Sequence, residues 1–177
     1  MPNDLDYFMS HPPRCLERFR ARALTEGLSN VIFDGHGEEW NPVFAITCAC
    51  GGTEFRISGY ALTEPDCSLF LSPLEACCTK CGQGAPLLDT DVHGYDAELG
   101  HGSSSRRAEG TPDQFRCPGC SAERGLLFTR FEFTQDLFDG SFDDVQVEKE
   151  DLFTWVTCVS RCSSCAQDNI VADFECA

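Results

Sequence analysis

Apolar and polar positions alternate along much of this chain, and a helical period stands out in one place only. Leu127, Thr129, Phe131 and Phe133 alternate with Leu126, Phe128, Arg130 and Glu132, the period of a half-buried strand. Phe153, Trp155, Thr157 and Val159 repeat that period, and residues 170–174 read as a closing strand. Upstream, residues 43–47 and 55–60 predict two more strands, with a shorter one at Leu87-Leu88. The turn-rich stretch 136–144 predicts a long hairpin loop. Pro12-Pro13 precedes residues 14–24, where Leu16, Phe19, Ala23 and Leu24 fall on one helical face opposite Arg14, Arg18 and Arg22. Gly27 is the expected cap of that helix. The expected fold class is therefore mostly β (small α+β), short antiparallel strands with one N-terminal helix.

Cysteine changes the picture most. There are 13, an odd number, and the start Met1-Pro2-Asn3-Asp4-Leu5 shows neither a basic nor an apolar leader segment. The expectation is a cytoplasmic protein with reduced thiols, not a disulfide framework. The cysteines also fall in pairs: Cys48-Ala49-Cys50, Cys78-Thr79-Lys80-Cys81, Cys117-Pro118-Gly119-Cys120 and Cys162-Ser163-Ser164-Cys165. A short spacer on a tight turn brings two thiolates to one ion, and two such turns close a four-thiolate shell. Neighbouring Gly and Pro residues supply the turn conformations. Cys77 and Cys158 stand close enough to compete with Cys78 and Cys162 for ligand positions. Cys15 and Cys176 read as ordinary buried or free thiols, and Cys67 has no assigned place.

On these knuckles the chain resembles zinc-ribbon proteins, over residues 41–92 and 114–177. The resemblance implies short antiparallel strands leaving each knuckle and two structural Zn2+ ions. It divides the chain into 1–40 (helix and lead-in strand), 41–92 (first ribbon), 93–113 (connector) and 114–177 (second ribbon). The first knuckle is Cys-x-Cys, and 27 and 41 residues separate the knuckles of each pair, which implies extended hairpins. Placing Cys81 on Cys165 without a gap sets Cys78 on Cys162, Gln83 on Gln167 and Asp89 on Asp173, a match that either an internal repeat or the constraints common to any two ribbons would produce.

Charge narrows function. Asp and Glu number 29 against 13 Lys and Arg, a formal charge of -16, which argues against a binder of nucleic-acid backbone. No apolar run is long enough to span a membrane. The connector gathers His93, Tyr95, Asp96, Glu98 and His101, candidates for metal binding or acid–base chemistry, but it runs into a Ser-rich, linker-like segment. No phosphate loop, nucleophile elbow or His-Glu-x-x-His motif appears. The expected function is a non-enzymatic, zinc-binding acidic module for protein–protein interaction, of the immunity or antitoxin type, whose partner carries a basic surface. Its partner-binding residues are expected in the acidic hairpin: Asp136, Phe138, Asp139, Phe142, Asp143 and Asp144. The alternatives are a nucleic-acid-associated ribbon protein and a metal-dependent hydrolase using the His93/His101 connector.

Overall fold

The computed structural model describes residues 4–25, 28, 32–33, 41–62, 69–101, 108–134, 137, 142 and 146–176. Helix α1 (Asp4–Ser10) leads through a 3-10 turn (Arg14–Leu16) into β1 (Phe19–Ala23). Then come β2 (Val43–Cys48), β3 (Glu54–Ala61), β4 (Phe70–Cys78) and β5 (Gly84–Leu88), followed by the short helix α2 (Tyr95–Glu98). The second half holds β6 (Asp113–Gln114), β7 (Gly125–Glu132), a 3-10 turn (Lys149–Asp151), β8 (Trp155–Cys162) and β9 (Asp168–Glu175). The mostly β class is as expected, and so are the strands at β2, β3, β7, β8 and β9.

The N-terminal helix lies elsewhere than expected. Residues 14–24 form one 3-10 turn and then β1, which pairs antiparallel with β2 from Phe19↔Cys48 to Ala23↔Phe44. Phe19, Ala21 and Ala23 are half-buried while Arg20 and Arg22 are exposed, an alternation that fits period two as well as the helical face did. Pairing with the edge of β2 satisfies five residues of backbone and decides for the strand. The helix is α1 instead, anchored by Phe8, whose ring stacks on Phe133 at 3.8 Å between centroids. Gly27, the expected cap, lies outside the described residues.

The nine strands of the described residues join one antiparallel sheet. One edge of β7 pairs along its length with β8, while β2 takes Phe128, Thr129 and Arg130, and β3 takes Gly125 and Leu126. Phe44, Phe55, Phe131, Phe153 and Phe174 fill the main core, and a smaller cluster of Leu24, Phe33, Val43, Phe128 and Val159 forms a second one. Phe131 meets Phe153 edge-on at 4.9 Å and Phe44 at 6.1 Å, so a single ring links β2, β7 and the lead into β8.

The strand pairings between the halves follow a two-fold pattern. Counting from each first-knuckle cysteine, with one residue allowed for the shorter Cys48-Ala49-Cys50 turn, Phe55 corresponds to Gly125, and these two residues pair with each other. On the same count Ala45 corresponds to Gln114 and Ser58 to Phe128. Ala45 pairs with Phe128, and Gln114 pairs with Ser58. Each half therefore sends its lead-in strand across to the second strand of the other half. The ribbon-like stretches interlock within one sheet.

Replacing Phe131 with alanine is expected to cost about 3–5 kcal/mol, because the ring is almost wholly buried and bridges three elements. Urea unfolding at saturating zinc checks this through a lowered midpoint at unchanged slope.

Candidate metal centres

Each knuckle is a strand end turned back by the same backbone bonds. The Cys78 N–H donates to Gln83 O (2.9 Å) and Gly82 N–H to Cys78 O (2.9 Å); Cys162 N–H donates to Gln167 O (2.9 Å) and Ala166 N–H to Cys162 O (2.9 Å). Cys117 and Ala122 repeat the pattern at 2.9 Å, and Cys48 and Gly52 at 2.8 Å. Gln83 and Gln167, matched in the ungapped sequence alignment, thus hold the same place in two turns. Closing each turn puts one residue in the left-handed region: Gly51 (φ 81°), Gly82 (φ 74°), Ser121 (φ 60°) and Ala166 (φ 59°). Glycine takes that conformation without strain, whereas Ser121 and Ala166 hold it at a cost of roughly 1 kcal/mol or more each.

The turns bring the sulfurs together in two sets, Cys48, Cys50, Cys78, Cys81 and Cys117, Cys120, Cys162, Cys165. Across the first set, Cys48 Sγ lies 3.7 Å from Cys81 Sγ and Cys50 Sγ 3.7 Å from Cys78 Sγ. Across the second, Cys117–Cys165 is 3.6 Å and Cys120–Cys162 is 3.4 Å. A disulfide requires about 2.05 Å, so these are not bridges. Zn–S bonds of about 2.3 Å set tetrahedral S···S edges of about 3.8 Å, and both sets fit that shell. In each set two cysteines are buried and two exposed. Cys77 and Cys158 are not part of either set: Cys77 Sγ faces Gly82 O at 3.4 Å, and Cys158 is buried within β8. Cys15 and Cys176 are buried as expected, and Cys67 lies outside the described residues.

The thiols within each shell are shifted in opposite directions. The Gly52 amide, with neighbouring sulfurs, draws the Cys50 thiol down to about 7. The amides of Cys165 and Ser164 draw Cys162 down to about 6. Their partners move oppositely. The Gln83 and Ala122 amides favour the thiolates of Cys81 and Cys120, but the three neighbouring sulfurs and burial together push both up to about 12. Four thiols this close do not shed four protons at neutral pH unless a dication takes their place. Asn169 Nδ2 points at Cys117 Sγ (3.7 Å) and Ser164 N–H at Cys162 Sγ (3.4 Å), donors that steady thiolate charge.

The two centres share one end of the sheet. A row of paired residues, Cys78 on β4, Phe55 on β3, Gly125 on β7 and Cys162 on β8, crosses it in register. At about 4.8 Å per strand the cysteines of this row stand about 14 Å apart.

The connector does not form a third site. The Asp89 N–H donates to His93 Nδ1 (3.0 Å), Tyr95 N–H to Phe153 O (2.9 Å) and Asp96 N–H to Cys176 O (2.9 Å). Glu98 accepts from the Arg14 guanidinium, and Asp151 accepts from Arg14 N–H at 2.6 Å. His101 is exposed. Among the described residues, the sets of converging ligand atoms are the two cysteine shells alone. Burial, with Arg14 next, depresses His93, while burial raises Asp151 and Glu98. Sequence reasoning missed this Arg14–Glu98–Asp151 cluster because its members are scattered along the chain.

Of the acidic hairpin, Phe142 is half-buried and meets Tyr95 edge-on at 5.7 Å. Asp136, Phe138, Asp139, Asp143 and Asp144 lie outside the described residues. No helix among the described residues is long and apolar enough to cross a membrane. Comparison with family models, curated proteins and solved structures finds no match, so the likeness to zinc ribbons rests on the cysteine geometry.

Two zinc ions per chain are expected by metal analysis. Cys78→Ser and Cys165→Ser should each lose one ion, while Cys77→Ser, Cys158→Ser and Cys176→Ser keep both; a single ion in the intact chain would refute the pairing. Burial holds the folded His93 below 6.5, so its contribution to stability is present above 6.5 and is lost as pH falls from 6.5 through the folded value. An NMR titration of the ring nitrogens is expected to give a midpoint below 6.5.

Proposed function

We propose that this chain is a non-enzymatic, zinc-stabilised acidic module that binds a protein partner through a basic surface on that partner, as an immunity- or antitoxin-type inhibitor does. Both thiolate sets supply four protein ligands, which leaves a zinc ion no open position for substrate and fits a structural role. The observation that carries the reading is charge. Each four-thiolate zinc site adds a net -2, so the formal -16 becomes about -20 with both sites filled. A surplus of that size steers a basic protein toward the surface and repels nucleic-acid backbone. The acidic hairpin with Asp136, Phe138, Asp139, Phe142, Asp143 and Asp144 is the part assigned to the partner. Phe142 packs edge-on against Tyr95.

One observation favours a second reading, a nucleic-acid-associated role. Arg56 and Arg124 line a single open cleft with Thr79, Ala122 and Glu123, beside the knuckles of both metal centres.

Charge reversal at Asp139, Asp143 and Asp144 is expected to cut capture of a basic protein by the immobilised zinc-loaded chain, and raising salt to slow association of the unaltered one. Capture indifferent to both would reject the hairpin. Salt-sensitive binding of single-stranded RNA or DNA, lost in Arg56→Glu and Arg124→Glu, would establish the second reading in its place.

A further inference from the structure

On the outer face of β3, β4 and β5, away from the metal centres, the sheet carries a cavity of about 250 Å³. Tyr60, Pro73, Pro86 and Pro112 line it together with Glu75 and Asp89, and the Asp89 carboxylate accepts from Asp91 N–H at 3.1 Å. The site is built by register. Ser58 pairs with Glu75 and Glu75 with Pro86, so one cross-strand row runs through it, and Tyr60 pairs with Leu71 on the same face. Gly84 completes it: a Cβ there would land on Glu75 Oε1, so the bare backbone of β5 lets the carboxylate lie across the strand. Among the described residues Glu75 makes no ion pair, although it sits in a rigid meander.

Apolar rings around an uncompensated carboxylate match one kind of side chain. An alkyl stem packs on proline rings, and a planar, weakly hydrated cation stacks on a tyrosine and meets carboxylate oxygens in pairs. We propose that this cavity receives an arginine side chain of the protein partner, with Glu75 as its charge partner and Tyr60 as its stacking surface. The proposal rests on the basic-partner reading above and adds a second contact region, apart from the acidic hairpin. Lysine fits the cavity less well, because its compact ammonium holds its water more tightly and cannot stack.

The test uses the zinc-loaded full chain and N-acetylarginine methylamide, followed through the amide resonances of Tyr60, Glu75 and Gly84. Saturable shifts are expected with this probe, and binding weaker by about tenfold or more with the neutral citrulline analogue. Glu75→Gln should weaken the probe to the same degree. Gly84→Ala, which keeps every charge and displaces the Glu75 carboxylate, should weaken it as well. Retained zinc content shows that both variants are folded. Absence of saturable shifts, equal binding of the citrulline analogue, or full binding by Glu75→Gln overturns the site and leaves salt-dependent capture of a basic protein untouched. Arginine binding with no capture of any basic protein would reject the partner reading instead.

Discussion

Four thiol groups held within one tetrahedral shell constrain this fold more than any other contact. Two such shells sit on one row of paired residues, Cys78, Phe55, Gly125 and Cys162. Each knuckle ends one strand and starts another, so a metal ion in the shell fixes where the flanking strands begin. Once Cys78 is set against Phe55 and Cys162 against Gly125, a slip of one residue would turn every side chain to the wrong face. The crossed lead-in strands then follow. β2 pairs with β7 and β6 with β3, so neither shell can open without loosening a strand of the other half. A metal ion in each shell and the sheet would thus stabilise each other, as in small domains whose folding is coupled to their ion.

What the sequence revealed was local, and what it concealed depended on partners far along the chain. Cysteine spacing named the eight converging thiols because a knuckle is a five- or six-residue object. The strands β7 and β8 were legible because their alternation is long and aromatic. The run 14–24 misled because Arg and Ala serve both periods, and only the free edge of β2 decides between them. β4 went unseen because Pro73 stands within it; the structure accommodates that residue where register shifts between Ser58 and Tyr60 and between Leu74 and Glu75. The choice between Cys77 and Cys78, or Cys158 and Cys162, was likewise open in the sequence. Pleating settles the first choice, since adjacent residues on a strand face opposite ways; distance settles the second, since Cys158 lies four residues, about 13 Å, back along β8 from Cys162.

The connector shows how a cluster of reactive residue types becomes structural. His93 accepts a backbone hydrogen bond from Asp89, and α2 is fastened by Tyr95 and Asp96 to the chain before β8 and after β9. Arg14 joins Glu98 and Asp151 from three distant stretches. Each group is held by a partner that satisfies it, which is what burial of polar atoms demands. The acidic hairpin behaves the same way at its ends: Glu132 pairs with Arg130 at 2.7 Å and Glu150 accepts from Tyr7 Oη at 2.7 Å.

That internal use of charge sharpens the case for a basic partner. Arg14, Arg116, Arg130 and Arg161 each hold a carboxylate within the fold, at Glu98, Glu123, Glu132 and Asp168. Every such pair removes one cation and one anion from the surface, so the difference between 29 acids and 13 bases is untouched by internal pairing. The more completely the cations are engaged, the purer the remaining field. A divalent ion at each centre would deepen it, because four thiolates outweigh one dication. A surface so one-sided repels its own copies and polyanions alike, and it is relieved only by counterions or by a partner of opposite sign. The arginine site proposed on the outer face of β3, β4 and β5 would give such a partner a shaped place to land, which a diffuse negative field by itself does not.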